Sequence, residues 1–210
     1  HYGSEPVVIG AVSAGLFDMN ACYPVMDKDE AGNLYVAWFS GNYGNNDGEL
    51  VYYRERINGV WTPTENLEIP YRETPPYWNY EYGARYLSMK RLNGKTYILS
   101  TIASGYWAPI HWLDEHSIAY SVRDGGAWQT EWVIADTTAS NGQLLSENLV
   151  LYALKVNDNW DIYYQEKEGM GWSAPICVKD TPTKSKFPQG CFDGEYISLI
   201  WTEGDNKPYQ

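Results

Sequence analysis

The stretch Ser121–Trp128, SVRDGGAW, is a turn that ends in a tryptophan, and two relatives of it stand elsewhere in the chain. RERINGVW ends at Trp61 and QEKEGMGW ends at Trp172. An alternating run precedes each turn: ELVYYRER from Glu49, SIAYSVRD from Ser117 and DIYYQEKE from Asp161. A short apolar segment follows each: TPTENLEIP, QTEWVIAD and SAPICVKD. Period-2 alternation bounded by a glycine turn reads as a half-buried strand entering a hairpin. Each copy therefore predicts a strand, a tight turn and a second strand.

A further strand lies upstream of each hairpin: NLYVAWFS from Asn33, KTYILSTI from Lys95 and ENLVLYALKV from Glu147. The turns DKDEAGN and LNGK introduce the first two, and Asn93-Gly94 is a strong hairpin signal. Ahead of these come CYPVMD, GARYLSMKR and NGQLLS. The unit is four strands, A to D, recurring about every 45 to 55 residues, a period that marks propellers and arrays. A last, partial copy runs from Lys186, with Phe187-Pro188 matching Tyr23-Pro24 and Trp201 matching Trp38. Near the start, SEPVVIGAV, residues 4–12, reads as an orphan strand D.

The expectation is an all-β chain, a β-propeller of four-stranded antiparallel blades in one domain, 1–210. Its repeats cover about 20–70, 80–136, 141–180 and 184–210 together with 4–12. Termini that complete one blade between them close a ring and leave no exposed edge. The number of blades stays open between a four-bladed ring and a larger ring completed by further blades or by self-association.

Composition fits an aromatic-rich β protein, with 19 tyrosines, 10 tryptophans and 19 glycines. A net charge of −12 with scattered basic residues argues against nucleic acid as a partner, which needs a basic patch. No apolar run approaches the roughly 20 residues of a membrane span, so no membrane insertion is expected. No charged-then-apolar leader opens the chain, a pattern that a secreted protein loses on export. Cys22, Cys177 and Cys191 have no metal spacing. They allow one disulfide, Cys22 or Cys177 with Cys191, or three buried thiols. In DKDEAGN, Asp27 and Asp29 resemble part of a calcium loop, but no distal glutamate follows in register, and a turn is the better reading. Neither a metal nor another cofactor is expected.

Ser121, Asp124, Gly126 and Trp128 together resemble the Asp-box of sialidase-like, or bacterial neuraminidase repeat, propellers, although Asp124 comes one place late. The resemblance implies blades whose third and fourth strands meet at this turn. The turn chemistry is structural: Asp124 and Asn58 accept across it, glycine supplies positive φ, and the tryptophan packs between sheets. Sialidases of this family hold a carboxylate with three arginines and use a tyrosine nucleophile. The chain has Arg54, Arg56, Arg72, Arg85, Arg91 and Arg123 but lacks the family's Arg-Ile-Pro motif.

Function is expected where the repeats break, because loops on a rigid scaffold carry recognition. The second repeat is irregular at TPPYWNYEYGARY and at ASGYWAPIHWLDEH. Tyr77, Trp78, Tyr82, Arg85, Trp107, His111 and Trp112 form the expected ligand site. Flat rings beside charged groups suit a sugar, which has an apolar C–H face and a rim of hydroxyls. These residues predict an extracellular or cell-surface protein that binds a glycan or polysaccharide. The alternative is a carbohydrate-active enzyme, either a sialidase-like glycoside hydrolase or a polysaccharide lyase similar to the ulvan-lyase-like propellers. There His111, His116, Tyr82 and Arg85 would move the proton of a uronic acid and neutralise its carboxylate.

Overall fold

The computed structural model describes residues 20–41, 50–67, 80–106, 115–135 and 138–204. These residues are all β, and no helix occurs among them. The first sheet comprises β1 (Asn20–Lys28), β2 (Leu34–Gly41), β3 (Leu50–Ile57), β4 (Val60–Trp61) and β5 (Glu65–Leu67). The second comprises β6 (Tyr80–Leu92), β7 (Lys95–Tyr106), β8 (Glu115–Asp124) and β9 (Ala127–Ile134). The third comprises β10 (Ala139–Ser146), β11 (Leu149–Val156), β12 (Asn159–Glu168), β13 (Gly171–Trp172) and β14 (Ile176–Lys179). A two-stranded sheet, β15 (Ser185–Phe192) and β16 (Ile197–Glu203), follows. All pairing is antiparallel between neighbours, so the first three sheets are meanders of one plan.

Proline decides one difference between them. The fourth strand is continuous in β9, which contains no proline. It splits into β4 and β5 around Thr62-Pro63-Thr64, and into β13 and β14 around Ser173-Ala174-Pro175. A proline has no N–H to give the ladder and interrupts it where it falls.

Turn chemistry sets the hairpins. Asn58 and Gly59 (φ 49° and 83°), Asn93 and Gly94 (50° and 74°), and Gly125 and Gly126 (58° and 91°) all have positive φ, as a primed two-residue turn requires. Asp124 does not serve the turn as expected from the sequence. Its carboxylate pairs with Lys95 on β7 at 2.8 Å.

Every first strand carries a bulge. The register slips between Cys22 and Val25, between Ala84 and Tyr86, between Ser140 and Gln143, and between Lys186 and Gln189. These strands also lie beside one another, β1 against β6, β6 against β10 and β10 against β15. Among the described residues four bonds tie the row: Arg91 N donates to Asp27 Oδ2 (2.6 Å), Leu144 N to Ser88 Oγ (3.0 Å), Gly190 N to Gln143 Oε1 (2.7 Å) and Gln143 Nε2 to Gly190 O (3.4 Å).

The core consists of three layers between consecutive sheets. Ala37, Phe39, Val51, Tyr53 and Leu67 meet Ile98, Ile102 and Ala119. Leu99, Ile118 and Tyr120 meet Leu144, Val150 and Tyr152. Leu151, Ala153, Trp160 and Ile162 meet Phe192, Leu199 and Trp201. Alternation explains the division, since successive residues of β8 face opposite ways: Ala119 joins the first layer, while Ile118 and Tyr120 join the second.

The cysteine expectations need correction. Cys177 and Cys191 are free thiols and exposed, so neither pairing forms and neither of these two is buried. Cys177 sits on β14, whose four residues are all exposed.

Candidate functional site

Antiparallel connection places the start of β6, the end of β7 and the start of β8 at one end of the second sheet. Residues 71–79 lead directly into β6, and 107–114 join β7 to β8, so both irregular segments attach at that end. Strand length singles it out. β6 runs five residues from Tyr80 to the bulge at Arg85, whereas β10 begins two residues before Asn141. The second-to-third strand connection is two residues in the third sheet, Asn157 and Asp158, and eight in both the first, 42–49, and the second, 107–114, of which only the second is rich in aromatic residues with histidine.

Of the expected site residues, Tyr77, Trp78, Trp107, His111 and Trp112 lie outside the described residues. Tyr82, Arg85 and His116 lie on strands, and register relates them. Tyr82 stands opposite Ser104, and Ser104 opposite Glu115. Gly83 stands opposite Ala103, and Ala103 opposite His116. Arg85 is the bulged residue of β6. At about 4.8 Å between neighbouring strands, the backbones of Tyr82 and His116 are roughly 10 Å apart across the sheet.

The opposite end carries an arrangement that sequence reading missed. Trp128 packs on the first sheet and its Nε1 donates to Glu65 Oε2 at 3.1 Å. The Arg123 guanidinium grips the same carboxylate through Nη2 (2.7 Å) and Nε (2.9 Å), and reaches Glu55 through Nη1 (2.8 Å). It also lies over the Tyr53 ring, 5.4 Å from the centroid. The next pair of sheets repeats this clasp. Trp172 Nε1 donates to Glu131 at 3.1 Å, Lys167 pairs with Glu131, and the Lys167 ammonium lies over Tyr120 at 4.9 Å. In each, a tryptophan and a cation from one sheet hold a glutamate and a tyrosine of the sheet before. The sequence signal is Tyr-x-x-Arg/Lys-x-x-x-x-Trp, as Tyr53-Arg56-Trp61, Tyr120-Arg123-Trp128 and Tyr164-Lys167-Trp172. It goes unnoticed because the glutamate comes from another repeat, 63 residues away for Glu65 and Trp128.

Electrostatics assign this end to structure. Burial pushes the phenols of Tyr53 and Tyr120 well above the usual range, and burial with the Glu147 carboxylate raises Tyr97 to about 12. The Glu65 hydrogen bonds push Arg123 up. Asp29 is held below the usual carboxylate range, first by the Asn33 side chain. Its oxygens accept from Asn33 N, Asn33 Nδ2 and Tyr35 OH, each at 2.9 Å, so DKDEAGN is a self-satisfied turn. Among the described residues no group of three or more His, Cys, Asp or Glu converges as a metal set would. Every one of these shifts moves its group away from neutrality, which keeps charge fixed and suits proton transfer poorly.

No protein-family model matches the chain, and no curated protein matches it. Among the described residues no helix is long and apolar enough to cross a membrane.

Proposed function

We propose that the protein is an extracellular, carbohydrate-binding β-propeller of the sialidase-like type. Its antiparallel sheets are the blades, and a glycan is held at the end of the second sheet. One observation carries the reading: the second sheet outruns the third at the end where both aromatic-rich segments attach. Stacking supplies the affinity, because a ring is ordered at low entropic cost and matches the C–H face of a sugar. Arg85, at the bulge where a strand re-aims its side chains, favours an acidic sugar. The repeated clasps support a rigid scaffold beneath the site.

A glycan array with acidic and neutral polysaccharides tests this. Trp112→Ala abolishes binding, and His111→Ala weakens it only mildly. An array with no bound glycan overturns the reading.

The second reading, a polysaccharide lyase, draws on the sheet end shared by Tyr82, Arg85 and His116, although the register puts Tyr82 and His116 in successive cross-strand rows, and so on opposite faces, so that at most one of the two acts beside Arg85. In it a histidine or the tyrosine removes the proton next to the uronate carboxylate, Arg85 neutralises that carboxylate, and the glycosidic oxygen leaves with a proton. His116→Ala or His111→Ala then leaves binding intact and eliminates the ultraviolet absorbance of unsaturated uronate products. Retained binding without such absorbance in the native protein rules it out.

A further inference from the structure

The first strands run side by side in one direction. Arg91 meets Asp27, Leu144 meets Ser88 and Gly190 meets Gln143, each pair toward the ends of its strands, so their beginnings also lie together. Those beginnings are at the end of the second sheet where residues 71–79 and 107–114 attach. The bulges of β6, β10 and β15 fall at one level there. Arg85 stands three residues before Ser88, Asn141 three before Leu144 and Phe187 three before Gly190. Arg85, Asn141 and Phe187 thus form a row across β6, β10 and β15.

Phe187 is the unusual member. Its φ is 54° and that of Asn141 is 56°, left-handed values that asparagine tolerates and a bulky ring does not. Where a bulge takes this conformation, its residue is ordinarily glycine. The neighbours hold Phe187 in place: Ser185 and Pro188 are buried, and Thr202 Oγ1 donates to the Lys186 carbonyl at 2.9 Å. The ring itself gains little from the fold, since Phe187 is 46% exposed. An aromatic face is therefore kept open to solvent at a position whose backbone suits glycine or asparagine. Tyr196, also exposed, lies in the turn between β15 and β16, at the opposite end of these strands.

We infer that Phe187 is a second stacking platform for the same glycan, a subsite two sheets on from Arg85 that only an extended polysaccharide chain reaches. This rests on the glycan reading and adds its substrate class, a polymer bound along its length rather than a terminal sugar. Packed sheets lie about 10 Å apart, so Arg85 and Phe187, on strands two sheets apart, are separated by roughly 20 Å. One sugar cannot bridge that span, and several linked sugars can. Stacking on an open ring needs only the C–H face of a sugar, so this subsite accepts neutral and acidic units alike, whereas Arg85 favours the acidic one.

The test takes the polysaccharide that binds most strongly on an array of uronate-containing and neutral polymers, and its disaccharide and octasaccharide fragments. Phe187→Asn removes the ring and keeps a residue that accepts the left-handed conformation, and Phe187→Tyr keeps a ring. Titration calorimetry is expected to show octasaccharide affinity falling about three- to tenfold in Phe187→Asn, the worth of one stacked ring, with disaccharide affinity unchanged. Phe187→Tyr binds both fragments as the native chain does. The unfolding midpoint of Phe187→Asn stays level or rises. Octasaccharide affinity that is unchanged, or lost in step with that for the disaccharide, overturns the subsite and leaves the glycan reading standing. A midpoint lowered by more than a few degrees also overturns it, because the ring is then held for packing. A chain that binds no polymer on the array removes the glycan reading, and the subsite with it.

Discussion

Trp128 meets Tyr53 edge to face, with ring centroids 5.2 Å apart and planes at 89°, and Trp172 meets Tyr120 in the same way at 5.1 Å and 76°. One contact thus recurs between successive sheets, each time at a hairpin whose tryptophan also donates to a glutamate. Trp128→Ala removes both the ring and the bond. A loss of about 3 kcal/mol is expected, at the low end for aromatic truncation because the ring is only partly buried. Trp128→Phe keeps most of the packing and removes one of the two hydrogen bonds to Glu65 Oε2, which still accepts from Arg123 Nε, so about 1 kcal/mol is expected. Denaturant unfolding distinguishes the two, and equal losses would show that the hydrogen bond rather than the ring sets the contact.

The two cations of the clasps are not interchangeable. Arg123 serves two carboxylates, Glu55 and Glu65, which a planar fork can do, whereas among the described residues Lys167 pairs with Glu131 only. Arg123→Lys therefore destabilises, by about 1 kcal/mol, and Lys167→Arg is neutral. Arg123→Met leaves two carboxylates facing each other and costs about 2 kcal/mol, between the values for surface and buried pairs. Added salt narrows the Arg123→Met deficit, because it screens the repulsion that remains.

Much of the strand plan is legible in the sequence because its determinants are local. Asn93-Gly94 and Gly125-Gly126 announce their hairpins, and Tyr23-Pro24 and Phe187-Pro188 mark equivalent points that turn out to be equivalent bulges. Asp124 was less transparent, since a turn acceptor and an ion-pair partner share one residue type, and Lys95 on the neighbouring strand captured it. The clasp was illegible for a different reason: Glu65 and Arg123 come from separate sheets, and no short-range periodicity relates them. For the candidate site, register brings Tyr82, Arg85 and His116 to one end of one sheet, while the aromatic residues at 77–78 and 107–112 belong to connections whose sequence has no repeat to align with.

The buried phenols predict a defined alkaline limit. Tyr97 has its folded value raised to about 12 against 10.0 when unfolded, and Tyr53, Tyr120 and Tyr152 are raised in the same direction by burial. Between the two values the unfolded chain releases protons that the folded chain keeps, so the unfolded state is favoured as pH rises. The stabilisation is complete below about pH 10 and is lost as pH climbs through the folded values. The unfolding midpoint is expected to be flat from about pH 8 to 9.5 and to fall steeply above about pH 10. Tyr97→Phe makes that fall shallower. Tyrosinate absorbance tracking that of free tyrosine in the folded protein would contradict the burial of these rings.

The row of first strands is packed closely enough that two glycines cannot gain a methyl group without displacement. On β15, a Cβ at Gly190 would lie 2.5 Å from Leu199 Cδ2, 3.1 Å from the Ser198 carbonyl oxygen and 3.2 Å from Leu145 Cδ2 on β10. On β10, a Cβ at Gly142 would lie 2.9 Å from Leu99 Cδ2 and 3.4 Å from two carbons of Ile118. Leucine tips can rotate, but the Ser198 carbonyl belongs to the paired strand and cannot move without opening the β15–β16 ladder. Gly190→Ala is therefore expected to cost about 2 to 3 kcal/mol, and Gly142→Ala about 1 kcal/mol, within the range for overpacked cores. Shortening the obstructing side chain separates steric from conformational causes. Leu199→Val in the Gly190→Ala background recovers only part of the loss, because the carbonyl contact persists, whereas Leu99→Val in the Gly142→Ala background recovers most of it. Equal recovery at the two sites would mean that the carbonyl yields as readily as a methyl group, and that the pairing of β15 with β16 is looser than its register implies.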